Sequence, residues 1–271
     1  MAESKDDLFS RSEYRRVIDW TQRFRREGPF FDAIFAGAPS RTLLDVGCGT
    51  GEHVRHFAER GWSAVGIDLS ESMTEQAVDH AGETAAGGRA RFERRGAAEA
   101  ASLPEAPFGA ALCVGNTLAF VESADDLRRF FAGVAGALAP GGIFLLQMLN
   151  YERIEGVPVR ALPVNVRPLP PEEGDGELVF VRVLIPRGDG TVDFYPITMT
   201  LRPGHEPLVE LRNARAAVHH AWKRPQIETA LAAVGFGEIL TLGGMSETPY
   251  RPLDSPDLVI RARREERGAE E

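Results

Sequence analysis

The feature that most constrains the fold of this chain is a glycine-rich turn between an apolar run and a segment with helical character. In LLDVGCGTGEH, Gly47, Gly49 and Gly51 directly follow the apolar residues. Glycine lets the backbone turn this sharply and lets a ligand approach it closely. The next apolar run, WSAVGI, is followed by Asp68, which places an acid at the end of a second strand. Together these residues predict a strand, loop, helix and strand with a ligand site above the loop.

Strand and helix patterns alternate on both sides of this unit. Ser70 is a candidate N-cap for a helix that reaches about His80, and Ser123 opens another with Asp126 three residues later. The remaining predicted elements are a helix from 52 to 60, strands at 89–94, 110–115, 143–149, 238–242 and 257–263, and a helix from 225 to 234. Strands separated by helices of this length imply right-handed crossovers and a parallel sheet covered on both faces.

Two segments depart from the alternation. Residues 1–40 carry apolar side chains at helical spacing, and Gly28-Pro29 is predicted to divide them into two helices. Residues 151–222 instead contain strand-like segments separated by turns, at 178–185, 191–201 and 208–222. We therefore divide the chain into an N-terminal helical lid (1–40), a core (41–150 and 223–264), an inserted antiparallel β meander that forms a second lid (151–222), and a solvated tail (265–271).

Composition limits the partners and the compartment. The formal charge of −9, from 40 acidic and 31 basic residues, disfavours nucleic acid as a partner. The polar start MAESKDD is unlike a signal peptide, and Pro140-Gly141-Gly142 interrupts a long uncharged stretch, so neither export nor a membrane partner is expected. Cys48 and Cys113 lie in glycine-rich or apolar surroundings and are expected to be reduced thiols of a cytoplasmic protein. The sequence leaves a homo-oligomer open.

The acids around the glycine loop select among ligands. A dinucleotide requires a third glycine where this chain has Glu52, and it brings a pyrophosphate to the helix N-terminus. Asp45 and Glu52 flank the loop with two carboxylates, which repel such a dianion and favour a cation. S-adenosylmethionine carries a sulfonium and an ammonium and has no phosphate. Asp68, at the end of the second strand, stands where it can accept hydrogen bonds from both ribose hydroxyls.

The segments LLDVGCGTGEH, AVGIDLSESM and LAPGGIFLLQ resemble the class I S-adenosylmethionine-dependent methyltransferases over residues 41–149. The resemblance implies an α/β fold with a Rossmann-like seven-stranded sheet, mostly parallel, whose antiparallel last strand comes from the C-terminal strand pair. The cofactor contacts that it implies are Asp45, Gly47, Gly49, Gly51 and Asp68, with Leu69 or Met73 against the adenine.

One position departs from the family pattern. Where the family usually has an acid that contacts the adenine amino group, in a GDAxxLP-like stretch, this chain has GAAEAASLP with Ala97 in that place. The methyl group of alanine cannot make this bond. The contact is therefore expected from the backbone of Ala98 or from Glu99.

Two further segments are similar to the glycine and sarcosine N-methyltransferase branch of the family. CVGNTLAFV and LNYERI imply that Asn116 and Tyr151 lie beside the transferred methyl group, with Asn116 also contacting the cofactor. The arginine that binds the substrate carboxylate in that branch corresponds to Leu149 here. Because an apolar side chain cannot replace a bidentate guanidinium, glycine itself is disfavoured as the substrate.

In the same branch an N-terminal Trp and Arg close over the methionine end of the cofactor. Trp20 and Arg23 are the corresponding candidates, and Tyr14 shares their helix face. Arg23 can pair with the carboxylate of the cofactor. The alternative is that Trp20 packs in the core and Arg23 is one of several surface arginines.

Methyl transfer is an in-line displacement that needs well-positioned partners and no covalent intermediate. An amine can accept the methyl group from its neutral form, whereas an alcohol or phenol needs a base, for which Tyr151, His219 and His220 are the candidates. The ordinary alternative for the two histidines is that one is solvated and the other packed. His53 and His56 share a helix face without a third ligand, so no metal site is expected.

The favoured function is methyl transfer from S-adenosylmethionine to a small molecule, with nitrogen as the acceptor. Two alternatives stay open: a methyltransferase for RNA or a protein side chain, and a non-catalytic module that binds the cofactor as a sensor. The acidic balance and the inserted lid count against a large substrate.

Overall fold

The computed structural model describes residues 14–157 and 159–266, without the side chain of Tyr14. The strands are β1 (Thr42–Val46), β2 (Ser63–Asp68), β3 (Gly82–Glu83), β4 (Arg89–Arg94), β5 (Phe108–Cys113), β6 (Leu138–Leu149), β7 (Asn165–Pro168), β8 (Glu177–Pro186), β9 (Thr191–Leu201), β10 (Val209–Ala214), β11 (Ala217–His220), β12 (Phe236–Leu242) and β13 (Asp257–Arg264). The helices are α1 (Tyr14–Val17), α2 (Trp20–Phe35), α3 (Glu52–Ala58), α4 (Glu71–Ala77), α5 (Ala124–Ala137), α6 (Tyr151–Gly156) and α7 (Arg224–Ala233). Within the described ranges, no helix combines the length and the apolarity needed to cross a membrane.

Eight strands form the main sheet in the order β12, β13, β6, β5, β1, β2, β4, β3. The strands from β6 to β4 are parallel, and β13 is antiparallel to both β6 and β12. The Rossmann-like, mostly parallel sheet with an antiparallel last strand is therefore confirmed. The predicted count of seven is one short, because the two exposed residues of β3, Gly82 and Glu83, pair with β4 at the edge. Such a short polar strand leaves no alternating pattern in a sequence.

The main sheet places a crevice beside β1. This strand pairs with β2 on one side and with β5 on the other, so the order of the strands reverses there and the connections leave in opposite directions. Both faces of the sheet are covered, because neighbouring residues such as Leu43 and Leu44 belong to different apolar clusters. A ligand can therefore reach the sheet at its carboxyl edge.

The N-terminal helices divide at a different place from the one predicted. The break lies between α1 and α2, where Asp19 caps α2 by accepting a hydrogen bond from the Gln22 N–H. Gly28 and Pro29, the predicted break, lie inside α2. An interior proline costs about 3 kcal/mol. Burial of the three phenylalanines that follow it in α2 offsets that cost.

The insertion forms a second, antiparallel sheet, as the sequence predicts, with two differences. Strands β7 to β10 are a meander, and β7 is a strand that the sequence does not predict. The predicted strand 208–222 is divided into β10 and β11, which pair with opposite halves of one edge of β9. The pairing of β10 with β9 shifts register between Leu211 and Asn213, and such a bulge bends a strand away from its line.

Candidate active site

A cavity of about 740 Å³ lies over the carboxyl ends of β1, β2 and β5, between α2 and the inserted sheet. Its floor is the glycine loop 47–50, and one wall is the inward side of β9 and β11. The cavity therefore occupies the crevice where the strand order reverses, as open α/β sheets generally place their ligands.

The glycine loop meets protein on one side and open space on the other. Gly47 has φ +73°, and a Cβ there would lie 2.2 Å from Cγ2 of Thr117, so only glycine allows this contact. Gly49 has φ +53°, and no described atom lies within 4 Å of the position its Cβ would take. Gly51 is the N-cap of α3 and packs against Phe92, outside the cavity lining. Gly49 is thus the glycine that leaves room for a ligand.

Asp68 ends β2 and shapes the loop. Its Oδ2 accepts a hydrogen bond from the Gly49 N–H and its Oδ1 one from the Ser70 N–H, both at 2.9 Å. A carboxylate oxygen can accept more than one hydrogen bond, so these contacts are compatible with bonds to ligand hydroxyls. Leu69, which is 71% exposed, and the buried Met73 line the same end of the cavity.

The two residues that the sequence indicates for the adenine contact do not line the cavity. Ala98 and Glu99 are exposed, and neither lines the cavity. Ala97 lines it instead, together with Arg95, which pairs with Glu93 at 2.5 Å. The turn after β4 therefore presents the residue that stands in place of the family's acid, and its neighbours point elsewhere.

Asp45 is buried in β1 behind the loop and does not line the cavity. Burial and the nearby charge of Asp68 together raise the pKa of its carboxyl to about 8, although Arg23 opposes the shift. No donor in the described ranges reaches its Oδ2. Glu52 lines the cavity, and its Oε1 is paired with Arg15 at 2.7 Å, whereas no described hydrogen-bond partner reaches its Oε2. A cation in the cavity would favour the ionised forms of both acids.

Trp20 and Arg23 line the cavity from α2. The guanidinium carbon of Arg23 lies 5.1 Å from the Trp20 ring centroid, and its Nε donates to Glu27 at 2.9 Å. Trp20 also meets the ring of His53 edge-on, at 5.6 Å between centroids. Trp20 is therefore both a packed aromatic residue and part of the wall. Tyr14 begins α1, and its side chain lies outside the described residues.

This end of the cavity fits S-adenosylmethionine. Gly49 leaves a cradle that a Cβ would fill, and the buried Asp45 carboxyl has an oxygen that no described donor reaches. Asp68 offers acceptor oxygens for hydroxyl groups, and Leu69 and Met73 offer apolar surface for a base. Carboxylates and apolar side chains suit a ligand that is cationic and lacks phosphate.

Beside the loop, three side chains that are distant in sequence form one polar cluster. Asn116 has a left-handed backbone (φ 72°), and its Oδ1 accepts a hydrogen bond from the Leu149 N–H at 3.0 Å. Its Nδ2 reaches the Tyr151 hydroxyl at 2.8 Å and Nδ1 of His219 at 3.3 Å. The Tyr151 hydroxyl lies 2.9 Å from the same Nδ1.

The backbone fixes the direction of every bond in this cluster. Because the Leu149 N–H occupies the Asn116 oxygen, Nδ2 faces the other two residues and can only donate. His219 Nδ1 therefore accepts, from Asn116 and from the Tyr151 hydroxyl, and a neutral His219 ring carries its proton on Nε2. No acceptor in the described part of the chain reaches that Nε2. His219 lines the cavity, whereas Tyr151 stands behind it.

Burial keeps both titratable members of the cluster uncharged. It lowers the pKa of His219 to about 3. It also raises the pKa of Tyr151 far above its usual value, although the hydrogen bond from Asn116 opposes the shift. Phe194 stacks on the His219 ring at 4.4 Å and Phe120 meets it edge-on at 4.9 Å. At neutral pH His219 is therefore a hydrogen-bond donor and a poor base.

The structure separates the two neighbouring histidines. His219 belongs to the cluster, whereas His220 does not line the cavity and stacks on Trp222 at 4.4 Å. His53 and His56 pack among the aromatic residues of α2 and α3. In the two described ranges, no group of three or more metal-binding side chains comes together.

Several cavity residues escape the sequence analysis. Asp257 lines the cavity at the start of β13 and accepts a hydrogen bond from Gln147 Nε2 at 2.9 Å. Burial raises its pKa, which the Gln147 bond partly offsets. The inserted sheet contributes Arg182 and Thr198. The alternation of β9 was the available signal for such residues, but nothing in the sequence says which face covers the main sheet.

Sequence comparison relates about half of this chain to known proteins. Residues 43–142 match the family model described as a methyltransferase domain. The glycine/sarcosine N-methyltransferase of Parasynechococcus marenigrum is 31% identical over 142 residues, which are 51% of this chain and 49% of that protein. The dTDP-4-amino-2,3,4,6-tetradeoxy-D-glucose N,N-dimethyltransferase of Saccharopolyspora spinosa is 33% identical over 142 residues, 52% of this chain and 53% of that protein. The alignments thus span about half the length of each relative.

The fold similarity extends over nearly the whole chain. The crystal structure of an S-adenosylmethionine-dependent methyltransferase from Clostridium acetobutylicum superposes with a TM-score of 0.69 at 17% identity, covering 96% of this chain and 97% of that one. Residues 43–142 match a methyltransferase domain, and the fold around them is that of the class I S-adenosylmethionine-dependent methyltransferases. The resemblance that the sequence indicates is therefore confirmed.

Proposed function

We propose that this protein transfers a methyl group from S-adenosylmethionine to a nitrogen atom of a small molecule. The observation that carries the proposal is the neutral cluster of Asn116, Tyr151 and His219, which joins the glycine-loop end of the cavity to the wall of the inserted sheet. The two relatives described above bear names of enzymes that methylate nitrogen in small molecules.

The protonation of the cluster favours nitrogen over oxygen as the acceptor. A neutral amine already has the lone pair that attacks the methyl group, whereas a hydroxyl must first lose its proton to a base. His219, with a pKa of about 3, accepts a proton poorly, and the Tyr151 hydroxyl stays protonated. Asp257 has a raised pKa on the cavity wall, and we assign to it the proton that an incoming ammonium group gives up.

When bound, S-adenosylmethionine supplies an activated methyl group on a sulfonium. Asp68 accepts hydrogen bonds from the ribose, Gly49 provides the open floor, and Leu69 and Met73 hold the adenine. Asn116 and His219 orient the acceptor, the latter through its Nε2–H. Tyr151 acts through His219, because it keeps the proton of that ring on Nε2.

The lids are part of the proposal. Trp20 and Arg23 of α2 close the methionine end, and Arg23 approaches the carboxylate of the cofactor. The inserted sheet covers the acceptor with the inward side chains Phe194 and Thr198. Both walls exclude water from the reacting atoms, which strengthens electrostatic interactions there. A closed pocket of this kind favours a metabolite over an RNA or a protein side chain.

A turnover assay with paired acceptors tests the proposal. The protein is incubated with S-adenosylmethionine and a panel of small amines, amino sugars included, each matched with the alcohol of the same skeleton. We expect S-adenosylhomocysteine and N-methylated product from amines alone, as measured by mass spectrometry. Methylation of the alcohols would refute the choice of nitrogen, and binding without turnover on a whole metabolite extract would favour the sensor module.

Two carboxylate variants test the role of Asp257. Asp257→Asn should lower kcat/KM for amines, because the proton acceptor is lost, and the loss should shrink as the pH rises and more of the amine arrives neutral. Asp254→Asn, three residues away and exposed, is the matched control and should behave like the wild type. Equal pH profiles for the two variants would remove Asp257 from the proposed function.

We place the protein in the cytoplasm. Cys48 and Cys113 are both free and buried, and neither is part of a disulfide. Thiols of this kind are usual in a reducing compartment.

A further inference from the structure

Gln147 is a polar residue in an apolar strand. Its neighbours in β6, Leu146 and Met148, are buried and apolar, whereas Gln147 is partly buried and lines the substrate cavity. Its backbone pairs with Val259 of β13, so the pairing of the two strands does not depend on the side chain. A polar side chain in such a place needs partners for both ends of its amide.

The side-chain amide of Gln147 joins two segments that lie on either side of β6. Its Oε1 accepts a hydrogen bond from the Gly115 N–H at 2.8 Å, in the turn that follows β5. Its Nε2 donates to Oδ1 of Asp257 at 2.9 Å, at the start of β13. Because a backbone N–H can only donate, the amide oxygen must face Gly115 and the amide nitrogen must face Asp257. The direction of both hydrogen bonds is therefore fixed.

The hydrogen bond from Gln147 leaves one oxygen of Asp257 for a proton. In the described part of the chain, Gln147 is the one donor that reaches this carboxyl, and it donates to Oδ1. An N–H donor favours the ionised carboxylate, and a proton that the carboxylate takes up binds the other oxygen. Oδ2 is thus the oxygen that can receive a proton from an ammonium group in the cavity.

The same side chain holds the turn that carries Asn116. Gly115 and Asn116 both have left-handed backbones, with φ +77° and +72°. Strand β6 holds this turn at two points, through the bond between Gly115 and Gln147 and through the Leu149 N–H, which donates to Asn116 at 3.0 Å. Asp257 lies opposite Leu149 in the pairing of β6 with β13. The residue that orients the acceptor and the residue that takes its proton are therefore held by one strand.

We propose that Gln147 is a positioning residue for the methyl transfer, which holds the Asp257 carboxylate with Oδ2 towards the acceptor and at a fixed distance from Asn116. This inference rests on the proposed function, because it requires that Asp257 receives a proton. Gln147 is neutral at every pH, so it orients the carboxylate without adding a charge to the site. A lysine or arginine there would pair with Asp257 and compete with the ammonium group of the acceptor.

Several groups besides Gln147 act on the Asp257 carboxyl. Burial has the largest effect and raises its pKa, and the hydrogen bond from Gln147 has the next largest effect and lowers it. The charge of Glu27 on α2 raises the pKa, whereas Arg23 on α2 and Arg182 on β8 lower it. None of these three charges belongs to β6. A change in the pKa of Asp257 when Gln147 is replaced therefore reports the loss of the hydrogen bond.

Two variants of Gln147 test this contact in the protein alone. Gln147→Met has a similar volume and no donor, so the pKa of Asp257 should rise. Gln147→Glu has the same shape and places a second carboxylate beside Asp257, so it should raise that pKa further. Carbon-13 NMR of the aspartate carboxyl groups follows the titration, and the signal that is absent from Asp257→Asn assigns Asp257. Gln22→Met makes the same change at an exposed position of α2 and should leave the titration unchanged.

The pH profile of turnover tests the same contact in the reaction. The acid limb of kcat/KM for an amine should report the ionisation of Asp257. In Gln147→Met this limb should move up by about one pH unit, which is a loss of about tenfold on the acid side that shrinks at higher pH. Added to Asp257→Asn, the same change should cause no further loss, because the two side chains act as a pair. An equal loss at every pH would indicate a merely structural residue and would overturn the inference.

The two measurements separate the role of Gln147 from the proposed function. An Asp257 pKa that is the same in the wild type and in Gln147→Met overturns the inference, whether or not amines are methylated. A pKa that rises as expected in a protein that methylates no amine overturns the proposed function, and with it the place of Gln147 in the reaction. Circular dichroism checks that each variant is folded, and Gln147→Glu carries the test if Gln147→Met is not.

Discussion

Replacing Asp45 with asparagine should stabilise the unliganded protein and weaken cofactor binding. The carboxyl is buried in β1, and one of its oxygens has no donor among the described residues. Burial raises its pKa from 3.8 to about 8. The folded state therefore binds the proton more tightly than the unfolded state. Below pH 3.8 the carboxyl is protonated in both states and does not destabilise the fold. Between pH 3.8 and about 8 the free energy of unfolding falls as the pH rises.

The magnitude follows from the two pKa values. They differ by about four, and one pKa unit corresponds to about 1.4 kcal/mol, so the full penalty at alkaline pH is on the order of 6 kcal/mol. An asparagine at this position has a neutral side chain of the same shape, without this penalty. The stability gain of Asp45→Asn should therefore be near zero at pH 4, grow through neutral pH and level off above pH 8.

Urea denaturation across this pH range measures the gain, as the difference in unfolding free energy between Asp45→Asn and the wild type. Asp32→Asn removes an exposed carboxylate of α2 and is the control for the loss of one negative charge. A gain for Asp45→Asn that does not change with pH would refute the reasoning, since it would mean that the Asp45 carboxyl does not titrate in this window.

The same titration should appear in the affinity for the cofactor. A cation in the cavity favours ionised Asp45, so the wild type should bind S-adenosylmethionine more tightly as the pH rises towards 8. S-adenosylhomocysteine lacks the sulfonium charge and should show a smaller pH effect. Asp45→Asn should bind both ligands with little pH dependence in isothermal titration calorimetry. Equal pH profiles for wild type and variant would contradict the proposed role of Asp45.

Two further predictions use matched pairs of variants. His219→Gln should lower kcat about 10-fold to 100-fold through loss of the oriented donor, whereas His220→Gln should stay within about twofold of the wild type. Since the pKa of His219 is about 3, a pH–rate limb near pH 6.5 that vanishes in His219→Gln would contradict the donor role. Gly49→Ala and Gly188→Ala both add a methyl group at positive φ with no described atom within 4 Å, so each should cost about 1–2 kcal/mol in urea denaturation. Only Gly49→Ala should also lose cofactor affinity, and equal affinities would mean that no ligand passes over Gly49.

The main sheet could be predicted from sequence because its signals are local. Each buried parallel strand is a short apolar run, and the glycine loop marks the first crossover. Ser70 accepts the predicted capping bond from the Met73 N–H at 3.3 Å, and Ser123 accepts the one from Asp126 at 3.1 Å. The helix break predicted at Pro29 is wrong, because tertiary packing of α2 outweighs the intrinsic cost of a proline in a helix.

The substrate side could be predicted only in part, because its contacts are not local. Asn116 and His219 are 103 residues apart in sequence, and no periodic pattern connects them. A resemblance indicated Asn116 and Tyr151, but it gave no reason to choose His219 over His220. The choice follows from the pairing of β11 with β9, where His219 stands opposite Val192 and therefore shares its inward face.

The position of the insertion is fixed because both of its ends are hydrogen-bonded to the main domain beside the cluster. At the start, Asn150 caps α6 and donates through Nδ2 to the carbonyls of Pro252 and Ser255, both at 2.9 Å. At the end, the Trp222 Nε1–H donates to the Val121 carbonyl at 2.9 Å. Tyr151 follows the first anchor directly, and His219 precedes the second by three residues. A lid hinged at one end could not hold these two side chains within 2.9 Å of each other, so the double attachment is what allows an inserted sheet to supply a residue to the active site.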